Sequence, residues 1–187
     1  MHTEINKIVE TLNAGGIILY PTDTIWGIGC DATNTTAIRK IKEIKQRNDA
    51  KALLVLCENT QTLKNYVCNF PEKAVEIEHN SAKPVTIIYS GIKNISPELL
   101  AEDGSLGIRI PRFDFCLDLL KAFGKPIVST SANLSGANPP LSYNDISKEI
   151  IESADYVVKD YHNYSTPFSG SKIVKIDEVG NISVIRE

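Results

Sequence analysis

The stretch IILYPTDTIWGIG, residues 17–29, decides the fold prediction because an apolar segment runs directly into a polar turn. Residues 17–20 have the length of a short buried strand, which Pro21 ends. The Thr-Asp-Thr sequence of 22–24 therefore emerges at a strand end, where open α/β folds bind their ligands. An ordinary hydrogen-bonded turn beside a core tryptophan, Trp26, is the alternative interpretation.

Short apolar runs alternate with helical patterns along the rest of the chain. Strands are predicted over 17–20, 52–56, 85–89, 106–110, 127–129, 156–158, 173–176 and 182–185. Helices are predicted over 5–12, 35–44 (capped by Thr35 or Thr36), 60–67, 71–77 and 115–120, and after a cap at Ser142. Gly27 and Gly29 predict a sharp turn or a close approach of the backbone. Several strands are joined too briefly for crossover helices, so we expect an α/β fold with a mixed parallel and antiparallel sheet flanked by helices.

The composition predicts one globular domain over residues 1–187. Hydrophobic residues make up 42% and charged residues 23%, which excludes a disordered or fibrous chain. The formal net charge of -3 disfavours a dedicated nucleic-acid-binding protein. No apolar run approaches the roughly 18 residues that span a bilayer, and the first residues do not resemble a signal peptide. We therefore expect a cytoplasmic protein without a membrane segment.

The cysteines and histidines do not form a recognisable metal or nucleophile motif. Cys30, Cys57, Cys68 and Cys116 are scattered without a CxxC pair, so we expect no metal site and interpret them as buried free thiols. The three histidines lie outside any GxSxG-type motif, which makes a Ser-His-Asp hydrolase improbable.

Basic residues cluster at the predicted end of the second helix. Lys45 and Arg47 are two residues apart, so in an extended segment both side chains leave on one side, roughly 6–7 Å apart. This separation suits neighbouring phosphates, with Arg offering a forked donor and Lys a point charge. A solvated helix end whose charges complement the helix dipole is the alternative.

A second polar segment lies within PIVSTSANLSG, residues 126–136, where an apolar strand runs directly into a row of hydroxyl and amide side chains. If the strand stays extended, Ser129, Ser131 and Asn133 share a face and can bind phosphate oxygens, ribose hydroxyls or a carboxylate. An ordinary Ser/Asn-rich turn is the alternative. Arg109 ends a neighbouring strand and adds a cation. We expect this hydroxyl row and the Lys–Arg pair to converge on one cavity. The phosphate-binding glycine motifs of P-loop and Rossmann proteins do not occur.

Taken in order, four segments together resemble one family: PTDTIWG (21–27), KQR (45–47), GIRIP (107–111) and STSANLSG (129–136). From about Gly16 to Arg186 the sequence resembles the single-domain YrdC-type threonylcarbamoyl-AMP synthases. The resemblance implies a YrdC-like fold of three layers around a twisted mixed sheet. It also implies condensation of L-threonine, bicarbonate and ATP, with Mg²⁺, into threonylcarbamoyl-AMP and pyrophosphate. A separate transferase would then pass the threonylcarbamoyl group to tRNA.

The resemblance also implies roles for individual residues. Contacts to L-threonine are implied for Thr24, Trp26, Ser131 and Ser171. Contacts to ATP are implied for Arg47, Lys51, Arg109, Ser129, Asn133 and Arg186. Lys45 and Arg47 are the implied catalytic residues. No protein-caged metal is implied, because Mg²⁺ would arrive with ATP.

The sequence departs from the family pattern at several points. Leu56 stands where many members carry a threonine-contacting histidine. Lys83 and Lys172 replace motif residues, although Thr86 is retained. Two alternatives therefore stay open: a non-catalytic RNA-binding YrdC-like module, suggested by the basic residues within 39–51, and a paralogue that activates another carbamate or amine.

Overall fold

A nine-stranded sheet organises the chain, which the computed structural model describes over residues 2–45, 53–166, 170–177 and 180–187. The strands are β1 (Ile18–Tyr20), β2 (Gly27–Asp31), β3 (Leu54–Leu56), β4 (Val85–Tyr89), β5 (Leu106–Arg109), β6 (Ile127–Ser131), β7 (Tyr156–Val157), β8 (Lys172–Ile176) and β9 (Ile182–Arg186). Across the sheet their order is β7-β1-β2-β6-β3-β5-β4-β8-β9. The pairs β1–β7, β3–β5 and β4–β8 are parallel, and the other pairs are antiparallel. The expected mixed sheet is confirmed.

The expected helices form, with bounds that differ by a few residues. Within the described ranges they are α1 (His2–Asn13), α2 (Thr35–Ile44), α3 (Thr60–Leu63), α4 (Lys73–Asn80), α5 (Asp114–Phe123) and α6 (Lys148–Ser153). The predicted caps of two helices are wrong. Asn34, rather than Thr35 or Thr36, caps α2, because its side-chain oxygen accepts a first-turn N–H at 3.1 Å. Ser142 caps only a 3-10 turn, and the α-helix that follows is capped by Ser147.

Helices pack on both faces of the sheet and give the expected three layers. On one face, α1 and α5 bury Ile8 and Leu119 in a cluster that includes Ile127 of β6. On the other face, α2 and α6 contribute Ile38 and Ile150 to a second cluster. Each helix presents one apolar stripe to the sheet, which is the pattern that the sequence periodicity predicts.

The sequence prediction missed β2, the strand that follows the polar turn. Gly27 and Gly29 lie within it and pair with Ser131 and Ser129 of β6. A Cβ atom at Gly29 would overlap the backbone carbonyl oxygen of Val128, so glycine is required by a close backbone approach and not by a turn. This approach holds the polar turn beside the end of β6.

Gly29→Ala should lower the free energy of unfolding by about 3 kcal/mol, because the new methyl group meets backbone that cannot move aside. Urea unfolding measures the change. Gly170→Ala is the matched control, since its Cβ would meet only terminal side-chain atoms of Arg186, at 3.2 Å and beyond, and no backbone atom. Equal urea midpoints for the two variants would contradict this account of β2.

The four cysteines differ in exposure, and this predicts their reactivity. Cys30, Cys57 and Cys116 are buried as predicted, whereas Cys68 is exposed, so the prediction of a buried thiol is wrong for Cys68. Burial raises the pKa of the Cys57 thiol to about 11 and also raises the pKa values of Cys30 and Cys116. Because the thiolate is the reactive form, a thiol reagent should modify one cysteine of the folded protein rapidly and the other three only on unfolding. Mass spectrometry gives the number of labelled cysteines per chain before and after unfolding. A rapid phase that survives in Cys68→Ser refutes the assignment.

Candidate functional site

The sheet face beneath α1 and α5 is covered by helices along only part of its width. Tyr20, Leu56 and Ile127 are buried under these helices. Because side chains alternate along a strand, Leu54 and Ser129 point to the same face as Leu56 and Ile127, and they pair with each other across β3 and β6. They border a cavity of about 420 Å³ over the uncovered part of the face. This cavity is the candidate site.

The cavity brings together predicted residues that are far apart in the sequence. Six of them line it: Thr24, Arg109, Ser129, Ser131, Ser171 and Arg186. They come from the turn after β1, the end of β5, the exit of β6, and the β8–β9 edge. Ser129 and Ser131 of the predicted row therefore share one cavity with Arg109 and Arg186. The predicted convergence with the Lys–Arg pair is wrong for Lys45, which does not line the cavity, and Arg47 lies outside the described residues.

The turn after β1 is built around the Thr22 hydroxyl. It accepts the N–H groups of Thr24 and Ile25 at 3.1 and 3.2 Å and donates its proton to the Ile25 carbonyl at 2.7 Å. The Thr24 hydroxyl lies 3.1 Å from the Thr22 hydroxyl, whose proton and two lone pairs already have partners. Thr24 also accepts from Nη1 of Arg109 at 3.0 Å. One lone pair of the Thr24 hydroxyl is left for a ligand.

A buried ion pair fixes Arg109 at the cavity. Its Nη2 lies 3.2 Å from Oδ1 of Asp23, and the two side chains are 3% and 4% exposed. The other carboxylate oxygen of Asp23 accepts the Arg112 N–H at 2.9 Å. Two charges taken out of water this completely must compensate each other, so Asp23 sets the position of the Arg109 cation.

Lys45 is fully buried at the end of α2 and does not line the cavity. Its ammonium group donates to the carbonyl oxygens of Ser131 and Asn133, and it lies 3.2 Å from Oδ1 of Asn133. These acceptors belong to the chain leaving β6. Lys45 therefore ties α2 to the β6 exit and holds Ser131 at the cavity edge.

Arg186 of β9 fixes the opposite wall. Its Nε and Nη2 both donate to the Ser171 carbonyl, at 3.0 and 2.6 Å. The Ser171 hydroxyl lies 2.8 Å from Oγ1 of Thr86 on β4. The predicted threonine contact and the predicted nucleotide contact at this wall are thus direct neighbours.

The structure places two predicted contact residues away from the cavity. Trp26 is fully buried: its large indole packs edge-on against Tyr143 at 5.5 Å and donates to the Tyr164 carbonyl at 3.4 Å. The alternative of a core tryptophan is therefore correct. The Asn133 amide donates to the Leu134 and Ala137 carbonyls and shapes the loop after β6, so it too lies outside the lining. Arg47 and Lys51 lie outside the described residues.

The departures from the family pattern also have defined positions. Leu56 is 1% exposed in the core beneath the helices, and the cavity is bordered instead by Leu54, two residues earlier. Lys172 pairs with Glu187 at 3.0 Å, and the Lys83 carbonyl accepts the Ser81 hydroxyl. Neither lysine lines the cavity.

Sequence reasoning missed the apolar wall of the cavity and the partner of Arg109. Leu54, Ile88 and Ile173 line the cavity beside the polar residues. The two-residue period of each strand was the available signal, since Ile88 follows Thr86 on the same face. Asp23 gave no such signal, because a carboxylate between two threonines is also common in an ordinary exposed turn.

Comparison with known proteins identifies the family. The profile of the Sua5/YciO/YrdC family, described as telomere recombination, matches residues 10–187. The chain belongs to this family. Among curated members, the threonylcarbamoyl-AMP synthase of Pseudoalteromonas translucida (strain TAC 125) is 33% identical over 159 residues, which are 83% of this chain and 85% of the relative.

Solved structures of Sua5/YciO/YrdC proteins share the fold. The crystal structure of E. coli YciO superposes with a TM-score of 0.83 at 25% identity and covers 100% of this chain and 90% of that one. P. abyssi Sua5 complexed with L-threonine superposes with a TM-score of 0.84 at 20% identity and covers 92% of this chain. This chain spans 50% of the length of that Sua5 chain. These likenesses confirm the expected fold class.

Asp23→Ala should lower the free energy of unfolding by about 3–5 kcal/mol, because it leaves the buried Arg109 cation without its counter-charge. Lys125→Ala is the matched control: it breaks an ion pair with Asp31 in which the lysine is 43% exposed, and should change stability by less than about 1 kcal/mol. Chemical denaturation compares the two. A small and equal effect would show that the Asp23–Arg109 pair is not structurally important.

Proposed function

We propose that this chain is an L-threonylcarbamoyladenylate synthase, which condenses L-threonine, bicarbonate and ATP into threonylcarbamoyl-AMP and pyrophosphate. The observation that carries the proposal is the cavity, where the hydroxyls of Thr24, Ser131 and Ser171 and the guanidinium groups of Arg109 and Arg186 come together. The 33% identity with a curated threonylcarbamoyl-AMP synthase over most of the chain supports it.

The proposed reaction needs no nucleophile from the protein. The threonine amine captures bicarbonate as a carbamate with loss of water, and a carbamate oxygen attacks the α-phosphorus of ATP. The bond to the pyrophosphate leaving group breaks, and the carbamoyl group stays joined to AMP. Catalysis in such a case comes from alignment of the reactants and from cations that neutralise charge on the phosphates. A cavity lined by hydroxyls and guanidinium groups has the groups that this requires.

We assign the hydroxyl side of the cavity to the amino acid. The remaining lone pair of Thr24 can accept an N–H of the threonine or its carbamate. The Ser131 and Ser171 hydroxyls, on opposite walls, can hold its polar groups from two sides. Because each hydroxyl both donates and accepts, the same set can serve the amine and the carbamate derived from it.

We assign the cations to the nucleotide. Arg109 is held by Asp23, and Arg186 is held at the wall, so both can neutralise phosphate charge without reorganisation. Ser129 of β6 adds a hydroxyl to the cavity lining. Arg47 and Lys51 stay predictions for the same role. The contacts of Lys45 favour a positioning role, in which it holds the β6 exit against α2.

Magnesium fits this cavity as a companion of ATP. Mg²⁺ prefers oxygen ligands and keeps several of its waters, so substrate phosphates with one or two protein oxygens commonly suffice. The cavity offers the hydroxyls of Ser129 and Ser131 for that purpose. In the described part of the chain, no group of three or more His, Cys, Asp or Glu residues could form a protein cage. When bound, the ion would neutralise charge on the triphosphate.

The product implies further partners. Threonylcarbamoyl-AMP is a mixed anhydride and is consumed by an acyl transfer. We propose that a separate transferase passes the group to tRNA. We also propose a cytoplasmic location. No helix in the described ranges is both long and apolar enough to cross a bilayer.

The structure weakens the alternative of a non-catalytic RNA-binding module. Its motivation was the basic segment 39–51. Arg39 and Lys42 of that segment both pair with Glu98, at 2.8 and 3.0 Å, and Lys45 is buried. Three of the six basic residues that motivated this alternative are therefore paired or buried within the protein.

Pyrophosphate release tests the proposed function. With ATP, Mg²⁺ and bicarbonate, release should depend on L-threonine and be much slower with L-serine, because the added methyl group of threonine is worth about 10-fold or more in an apolar pocket. Ser131→Ala should lower kcat/KM for threonine by about 10-fold, since it removes a cavity hydroxyl. Ser183→Ala, on the exposed strand β9, is the control and should equal the wild type.

The controls separate the possible functions. Threonine-independent release would refute the proposal. A preference for serine or another amine would favour the paralogue. RNA binding that weakens steeply with salt, without any turnover, would favour the binding module.

A further inference from the structure

Thr86 lies directly behind the cavity wall without lining the cavity. It is 2% exposed on β4, and its Oγ1 is 2.8 Å from the Ser171 hydroxyl. A buried hydroxyl needs a hydrogen-bond partner, and Ser171 provides one. The proposed function has so far given Thr86 no part, although it is one of the motif residues that the sequence retains.

The Thr86 side chain has little rotational freedom. Threonine is branched at Cβ, which restricts its χ1 angle in a strand. Its methyl carbon lies only 3.1 Å from the point that a Cβ atom of Gly107 would occupy. The missing side chain of Gly107 therefore leaves the space that the Thr86 methyl group fills. With the methyl group seated there, the hydroxyl is directed at Ser171.

The main chain of Ser171 is fixed by a different contact. Arg186 donates two hydrogen bonds to the Ser171 carbonyl, at 3.0 and 2.6 Å. Its Nη2 reaches the Ser171 hydroxyl only at 3.5 Å, which is too long for a strong hydrogen bond. The rotation of the Ser171 side chain is therefore controlled chiefly by Thr86.

We infer that Thr86 is a positioning residue for the amino-acid substrate, because it holds the Ser171 hydroxyl in the orientation that binds threonine. This inference rests on the proposed function, which assigns Ser171 to the threonine side of the cavity. Thr86 itself touches no substrate. Its effect is specific: loss of its hydroxyl frees the Ser171 side chain to rotate but leaves Arg109 and the rest of the nucleotide side unchanged.

Thr86→Val tests the inference, since it keeps the shape of the side chain and removes only the hydroxyl. We expect KM for L-threonine to rise about five- to tenfold, the effect of one neutral hydrogen bond, while kcat and KM for ATP stay within about twofold of the wild type. Pyrophosphate release is measured at varied L-threonine with saturating ATP, and then at varied ATP with saturating L-threonine.

Two control variants test whether the effect is specific to the Thr86 hydroxyl. Thr86→Ser restores the hydroxyl and should recover most of the affinity for threonine. Thr35→Val removes one hydroxyl from a similar pair elsewhere, in which Thr35 and Ser96 lie 2.8 Å apart, and should leave all kinetic constants unchanged. Thermal unfolding of each variant establishes that it is folded. If Thr86→Val does not fold, Thr86→Ala replaces it, with the same expected loss for threonine.

Each outcome decides the question. An unchanged KM for threonine, equal increases for threonine and ATP, or no recovery in Thr86→Ser would overturn the inference while the wild type still depends on threonine. A wild type whose pyrophosphate release ignores threonine would refute the proposed function, and the inference with it. A threonine-selective loss that Thr86→Ser reverses would support both.

Discussion

The ion pair between Asp23 and Arg109 is the constraint on which the site depends. Asp23 follows β1 and Arg109 ends β5, and three strands separate β1 from β5 in the sheet. Four strand spacings amount to about 19 Å, so the turn after β1 must fold back over the sheet face to meet the guanidinium group. Both side chains are buried, so neither charge is tolerable without the other. The pair thereby holds a loop over the sheet, and that loop forms a wall of the cavity.

The cavity exists because the helices on this face are too few for the sheet. Nine strands span about 40 Å, whereas two packed helices cover about 20 Å. The uncovered part of the face is floored by short or apolar side chains, such as Ser129, Leu54 and Ile88. A binding site therefore follows from the mismatch between sheet width and helix cover, and the polar groups are supplied by strand ends at its border.

Local patterns predicted most of the fold, because hydrophobic periodicity acts over a few residues. They failed at β2, where Gly27 and Gly29 lack the side chains that mark a strand and are explained only by the distant carbonyl of Val128. The placement of Ser131 and Arg109 at the cavity was predictable from residue type and strand position, whereas Ser171 was indicated only by the family resemblance. Long-range pairs such as Asp23 with Arg109 were not, because single-sequence patterns carry no information about contacts made across the sheet.

The last strand, β9, is attached to the protein in two ways: it pairs with β8, and its Arg186 side chain donates to the Ser171 carbonyl. β9 is one of the two edge strands, and all five of its residues are exposed. Arg186 nevertheless connects it to Ser171 at the cavity. Outer strands are the part of a fold that opens most readily. A ligand that binds only when Ser171 is held in place shifts the equilibrium away from the opened form of β9. By linkage, a variant that stabilises the pairing of β9 with β8 raises the affinity for that ligand. Strand β9 and the cavity are thus thermodynamically coupled, so that ligand binding in the cavity stabilises the edge of the sheet.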